Sequence, residues 1–217
     1  MMIIFKLLIT SVLALAASPP LPDGYKYGEK IEVSTISQEE AVKLFAEFKA
    51  SKTIPWEYPV NGCHPRATEM TRIAEKKKVE MAKVVATGLF YHKTGTELYG
   101  DITWYNHIAP VVYVKEGETT VLKVFDPALF DEPVTEETWK KKLAKSGENS
   151  VVTNMYYGTR FQSDLMGWEK RKDRWHREDL IKDEAEFRKI REILAATKAK
   201  ESSSVPSNES APSGGTQ

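Results

Sequence analysis

The chain has 217 residues, of which 41% are hydrophobic and 10% aromatic, enough for one domain with a buried core. Its 31 basic and 31 acidic residues balance, so no global field attracts nucleic acid or anionic lipid. A single cysteine, Cys63, excludes an internal disulfide, and its thiol is therefore either buried and inert or reactive.

The two ends of the sequence differ in composition from the middle. Residues 1–18 have the layout of a secretory signal peptide, with Lys6 before the apolar run Leu7 to Ala17 and small residues after it. The run is shorter than the roughly 20 residues of a membrane-spanning helix. We therefore predict cleavage and export, to a periplasm or out of the cell, without stable membrane insertion. Residues 201–217 are mostly small and polar, and we predict a disordered tail after a single domain at 19–200.

Two helices are predicted in the first third of the domain. Ser37 and Glu40 fit a capping box, and apolar residues at helical spacing continue the helix to about Ala50. Prolines and an Asn-Gly pair interrupt the next segment, and Pro65 then fits the first turn of a second helix. Cys63 is thus predicted to lie at a helix N-terminus.

The remainder is predicted to form mostly strands. Three segments are rich in β-branched and aromatic residues and are separated by turn signals, which indicates antiparallel strands at Val84–Tyr91, Ile102–Val114 and Thr119–Phe125. A short helix carrying Trp139, a strand at Val151–Tyr157 and a helix at Asp179–Ala196 follow. The predicted fold class is α+β, with a helix-borne cysteine packed on an antiparallel sheet.

Position favours a reactive role for Cys63. The N–H groups and positive dipole end of a helix that begins there would stabilise a thiolate, which is the nucleophilic form of cysteine. The turn that precedes Cys63 contains Gly62 and would expose the thiol. The alternative is the usual fate of a lone cysteine, a small buried group without chemistry.

A thiolate nucleophile needs a base, and four histidines are available. His92 falls in a turn and His176 in a strongly charged run, so both are predicted to be surface residues. His64 adjoins Cys63, and its side chain should point elsewhere. His107 enters an apolar strand, where an imidazole is either a satisfied core group or a functional one.

Register brings a carboxylate to His107. If Glu116-Gly117 is a two-residue hairpin turn, His107 faces Asp126 across the hairpin; a longer loop or a bulge would shift the register but leave them near neighbours. Pro127 ends the strand at Asp126, which is otherwise a capping or turn residue. Nucleophile, base and orienting acid then occur in the order of a catalytic triad. No pair of ligands has metal spacing, so no metal is expected.

Three ordered segments resemble the protein-glutaminase (protein-glutamine deamidase) family. They are Trp104-Tyr105-Asn106-His107-Ile108-Ala109, Val124-Phe125-Asp126-Pro127-Ala128-Leu129-Phe130 and Pro133-Val134-Thr135-Glu136-Glu137-Thr138-Trp139. The resemblance runs from about Asn61 to Leu143. Family positions are matched by Cys63, Arg66, Trp104, His107, Ala109, Asp126, Pro127, Leu129 and Phe130.

The resemblance implies a papain- and transglutaminase-like core that hydrolyses glutamine side-chain amides in proteins or peptides and releases ammonia. It implies a thioester on Cys63, with His107 and Asp126 completing the catalytic triad, and no cofactor. We also predict a monomer. The family's disulfides and long pro-segment have no counterpart here, since this chain has no second cysteine and only about 40 residues between the signal and Cys63. Zymogen control is therefore not predicted.

Three other functions remain open at this stage. A transglutaminase or a cysteine peptidase would use the same three residues, with an amine as acceptor or a backbone amide as substrate. The non-enzyme alternative is an exported binding or adaptor protein in which Cys63 is inert.

Further site residues are expected near the triad. The backbone N–H of Cys63 is the first candidate to bind the oxyanion, and Asn61, Asn106 or another backbone N–H is the second. Trp56, Trp104 and Tyr105 either wall an aromatic cleft or belong to the core.

Overall fold

The computed structural model describes residues 25–26, 31, 33–93, 99–144, 150–161 and 174–203. Within these ranges, no helix combines the length and the apolar character needed to cross a membrane. The elements in chain order are β1 (Tyr25–Lys26), β2 (Thr35–Ser37), α1 (Gln38–Ala50), α2 (Cys63–Lys76), β3 (Ala82–Lys93), β4 (Asp101–Glu116), β5 (Thr119–Val124), β6 (Val134–Thr135), α3 (Glu136–Ala144), β7 (Val151–Gly158) and α4 (Arg177–Ser203).

The predicted elements of the domain are present, and its two ends fall at the limits of the described residues. The predicted signal peptide at 1–18 and residues 204–217 of the predicted tail lie outside these residues. Helix α4 continues to Ser203, so it includes the first three residues of the segment predicted as a tail.

The strands form one sheet in the order β1-β7-β3-β4-β5-β6, and β2 pairs with β4 beside this path. The long central pairs β3–β4, β3–β7 and β4–β5 are antiparallel, whereas the short strands β1 and β2 pair in parallel. Helices α1 and α2 contact β4, α3 contacts strands β3 and β5 to β7, and α4 contacts α2. The α+β class predicted from the sequence is confirmed.

The predicted register of the β4–β5 hairpin is wrong. Glu116 pairs with Thr119, so the two-residue turn is Gly117-Glu118 and the whole register moves by one residue on each strand. Gly117 has φ +61, while Glu118 has no positive φ, as in a type II′ turn, which needs glycine at its first central position. His107 therefore lies beyond the last β4–β5 pair and has no partner in β5.

Helix α1 begins as predicted and supports the end of β5. Ser37 caps the helix and its side chain accepts from the Glu40 N–H, while Glu40 accepts from the Ser37 N–H at 2.8 Å. The buried face packs Phe45 and Phe48 against Phe125, with ring centroids 5.9 and 6.0 Å apart. Burial of one such phenylalanine contributes about 1.5–3 kcal/mol. This packing holds the backbone immediately before Asp126.

Helix α2 contacts the sheet at two points of its N-terminal half. At the N-terminus, Cys63 packs on a small apolar cluster that includes Val85 of β3 and Ile108 of β4. One turn later, the fully buried Lys83 of β3 donates to Thr68 Oγ1 at 2.9 Å, and burial lowers the pKa of Lys83 to about 7. These contacts fix the start of α2 beside the middle of β4.

Candidate active site

Cys63 is the first residue of α2 and is partly exposed. The N-cap, Gly62, has a left-handed backbone with φ +94, and its carbonyl accepts the Arg66 N–H at 3.0 Å. Glycine adopts this conformation without the steric cost that other residues carry. No acidic residue lies in the first turn, so the positive end of the helix is left to the thiol. The predicted position of Cys63 at a helix N-terminus is confirmed.

His107 and Asp126 are in contact, although not by strand pairing. His107 Nε2 lies 2.8 Å from Asp126 Oδ2, and both side chains are buried. Asp126 follows β5, where Phe125 N–H still donates to Pro110 O at 2.9 Å and the Asp126 carbonyl accepts from the next turn. The contact thus lies at the open end of the hairpin, beyond the last β4–β5 pair, Val111 with Val124.

The second nitrogen of the imidazole is available to the thiol. Cys63 interacts with His107 through its side chain and raises the pKa of the histidine. Because Asp126 occupies Nε2, Nδ1 is the nitrogen that remains for Cys63. The structure thus brings the three residues singled out from the sequence together at one place.

Electrostatics favour a charged His107–Asp126 pair. Burial by itself would lower the pKa of His107, but the charge and hydrogen bond of Asp126, together with Cys63, raise it to about 10. Burial would likewise raise the pKa of Asp126, but His107, the Trp139 N–H and Arg66 hold it below its usual value. At neutral pH the pair is therefore imidazolium and carboxylate, which is the state that a thiolate neighbour also stabilises.

Trp139 is a site residue to which the sequence analysis assigned no role. Its indole N–H donates to Asp126 Oδ2 at 2.8 Å, and its ring stacks on His107 with centroids 5.7 Å apart. The side chain is fully buried. Its place at the end of the third motif was the available signal, but only the fold shows that α3 brings it to Asp126.

Arg66 is a second residue near the site to which the sequence analysis assigned no role; it was noted only because it matches a position of the protein-glutaminase family. Its guanidinium is buried and donates to Pro55 O at 3.1 Å and to Tyr58 O. It also lies 5.9 Å from the centroid of the Trp56 ring. Burial lowers the pKa of Arg66, and nearby acidic groups oppose this shift. Arg66 thus ties the segment before Cys63 to helix α2.

Cys63 and His107 line a cleft of about 390 Å³, and Asp126, which does not line it, contacts His107. Asn61 and Asn106, both considered for the oxyanion, line the cleft, and so does His64. Tyr105 is 69% exposed and does not line the cleft. The lining residues are Trp56, Tyr58, Pro59, Val60, Asn61, Gly62, Cys63, His64, Arg66, Trp104, Asn106, His107, Ala128, Leu129 and Glu186.

A helix-borne cysteine beside a histidine that contacts an aspartate is the arrangement used by cysteine hydrolases. Among the residues described above, no group of three or more His, Cys, Asp or Glu side chains could hold a metal ion.

Comparison with known proteins points to one family. Residues 41–143, which include all three site residues, match the family model described as Glutaminase. The resemblance to the protein-glutaminase family stated from the sequence is thereby confirmed over this region. A search of curated protein sequences finds no match.

Solved structures share the fold. The NMR structure of protein-glutaminase from Chryseobacterium proteolyticum is 22% identical with a TM-score of 0.59, covering 70% of this chain and 86% of that one. A crystal structure of protein-glutaminase is 22% identical with a TM-score of 0.60, covering 73% and 88%. A crystal structure of pro-protein-glutaminase is 25% identical with a TM-score of 0.54, covering 62% of this chain and 51% of that one.

Proposed function

We propose that this protein hydrolyses the side-chain amide of glutamine residues in proteins or peptides, leaving glutamate and releasing ammonia. The observation that carries the proposal is the position of His107, which interacts with Cys63 at the cleft and hydrogen-bonds to Asp126. The match of residues 41–143 to the family model described as Glutaminase supports glutamine as the substrate, and the matched region contains all three residues.

The first half of the reaction forms a thioester. The Cys63 thiolate adds to the carboxamide carbon, and the new S–C bond places the negative charge on the amide oxygen. His107, kept protonated by Asp126, donates its Nδ1 proton to the leaving nitrogen, and ammonia departs as the C–N bond breaks. Asp126 and Trp139 hold the imidazole from the opposite side.

The second half hydrolyses the thioester. The neutral His107 takes a proton from water, and the hydroxyl adds to the thioester carbon. The S–C bond then breaks, glutamate leaves, and the thiolate and imidazolium are restored. In both halves the backbone N–H of Cys63 stabilises the oxyanion, and Asn61 or Asn106 in the cleft wall supplies the second donor.

This reaction differs from those of the alternative enzymes in the group that accepts the acyl moiety, which is water, and in the bond attacked, which is a side-chain amide. A transglutaminase would transfer the same acyl group to an amine, and a cysteine peptidase would cleave a backbone amide. The cleft is flanked by Trp56 and Trp104, whose rings offer apolar walls to the methylene groups of one side chain. This favours a side-chain amide as substrate.

The experiment uses the mature protein, beginning at residue 19, and its Cys63→Ala variant. Each is incubated with a glutamine-containing protein and with matched peptides that differ only in Gln or Asn, while ammonia and intact mass are followed. We expect ammonia release with steps of about 1 Da and no fragments, lost in the variant because the nucleophile is absent. Fragments would indicate a peptidase, and amine-dependent cross-links would indicate a transglutaminase. An inactive wild-type protein with an unreactive thiol would indicate the binding protein.

The surrounding organisation is part of the proposal. We infer a signal peptide at 1–18, one catalytic domain at 19–200 and a tail at 201–217, in a protein that is exported and acts as a monomer. The signal layout of the first residues supports export. N-terminal sequencing of the secreted protein and its mass in solution would test these points.

A further inference from the structure

Helix α4 lies against the turn that carries the nucleophile, although it is outside the region that matches the glutaminase model. A Cβ placed on Gly62 would be 3.0 Å from Ile190 Cδ1, so the two residues are in direct contact. Ile190 is buried in the core, and Arg191 donates to Thr53 O at 3.3 Å. Helix α4 therefore braces the segment that leads to Cys63.

Glu186 is the polar residue of this brace that reaches the cleft. It lies one helical turn before Ile190, on the same face of α4, and lines the cleft together with Cys63. Burial raises the pKa of Glu186, and the Arg66 guanidinium, Lys189 and a hydrogen bond from the backbone N–H of Gly62 oppose this shift. A half-buried acid thus faces the peptide immediately before the nucleophile.

We propose that Glu186 is a positioning residue, whose carboxylate holds the Gly62 N–H and thereby orients the Cys63 thiol toward His107. Gly62 precedes the helix and has a left-handed backbone, so the hydrogen bonds within α2 do not fix the orientation of its N–H. An acceptor from another element is needed, and Glu186 supplies it. The inference rests on the proposed function only in taking Cys63 as the nucleophile.

Three variants test this role. Glu186→Ala removes the acceptor, Glu186→Gln keeps an acceptor oxygen without the charge, and Glu192→Ala makes the matched change at an exposed position of the same helix. Two rates are measured, ammonia release from a glutamine peptide and alkylation by iodoacetamide, which reports on Cys63 alone because the chain has one cysteine. Thermal unfolding of each variant verifies the fold.

Loss of a hydrogen bond to a charged acceptor corresponds to roughly tenfold or more in rate. We expect kcat and the alkylation rate of Glu186→Ala to fall about tenfold with KM changed less than about threefold, since positioning acts on the thiol and not on substrate binding. Glu186→Gln should recover most of both rates, and Glu192→Ala should match the wild type.

Two results would overturn the inference. One is wild-type alkylation and kcat in a folded Glu186→Ala protein; the other is a Glu186→Gln protein as impaired as Glu186→Ala. If the wild type releases no ammonia, the proposed function fails, and the alkylation rates alone still decide the role of Glu186.

Discussion

Replacing Trp139 by phenylalanine tests how far the triad depends on its indole N–H. The change removes the 2.8 Å hydrogen bond to Asp126 Oδ2 and keeps an aromatic ring beside His107. A hydrogen bond to a charged acceptor contributes about 1.5–3 kcal/mol, and the smaller buried ring loses about 1–2 kcal/mol of apolar contact. We therefore expect the free energy of unfolding to fall by about 2.5–5 kcal/mol.

Activity should fall as well, because the Asp126 carboxylate loses the hydrogen bond from Trp139 and keeps the one to His107. If the full hydrogen-bond energy orients the triad, kcat drops roughly 10- to 100-fold at nearly constant KM. The pKa of Asp126 should rise, since the Trp139 donor helps to lower it. The acid limit of stability then moves to higher pH. Denaturant unfolding at several pH values and steady-state ammonia release measure these effects.

Trp175→Phe provides the matched control. Trp175 also donates its indole N–H to a carboxylate, at 2.7 Å to Glu75 Oε2, but it does not line the cleft. We expect some loss of stability and a kcat within about twofold of the wild type, since the removed bond is remote from the triad. A Trp139→Phe protein that is destabilised but keeps wild-type kcat would refute the orienting role of Trp139.

Two further predictions concern the backbone turn and the ion pair. Gly62→Ala should cost about 1–2 kcal/mol of strain and reduce kcat. Gly117→Ala, whose added Cβ meets nothing within 4 Å, should lose stability while kcat stays unchanged. Denaturant unfolding and ammonia release measure both effects, and the same kcat in the two variants would contradict the prediction. Because the pKa of His107 is raised, its protonation stabilises the fold fully below about pH 6.5, and this contribution is lost as pH rises toward 10. Because the pKa of Asp126 is lowered, its ionisation stabilises the fold above the usual pKa of aspartate, and this contribution is lost in acid. His107→Gln should flatten the fall in unfolding free energy between these pH values, and parallel profiles would contradict the assignment.

Much of the fold was predictable because its signals are local. The capping box at Ser37, the breaks before Cys63 and the β-branched runs of the central strands each act within a few residues, and the structure confirms them. The motif around His107 and the Asp-Pro pair at Asp126 likewise indicated two candidate residues, and the structure places them in contact.

The register of the β4–β5 hairpin was the point at which local reasoning failed. Glu116-Gly117 and Gly117-Glu118 are both two-residue turns by length, and only the positive φ of Gly117 at the first position selects the second. His107 and Asp126 nevertheless meet, because their side chains reach across the end of the ladder.

By itself, the sequence determined the α+β class and the position of Cys63 at a helix start, and it indicated His107 and Asp126 as candidate partners of Cys63, since these depend on residue type and short spacing. Only the tertiary structure decided that Trp139 donates a hydrogen bond to Asp126 and that Glu186 lines the cleft beside Cys63. Both lie on helices whose side chains look like ordinary core or surface residues, and their role arises from which buried atoms the packing of α3 and α4 brings within reach.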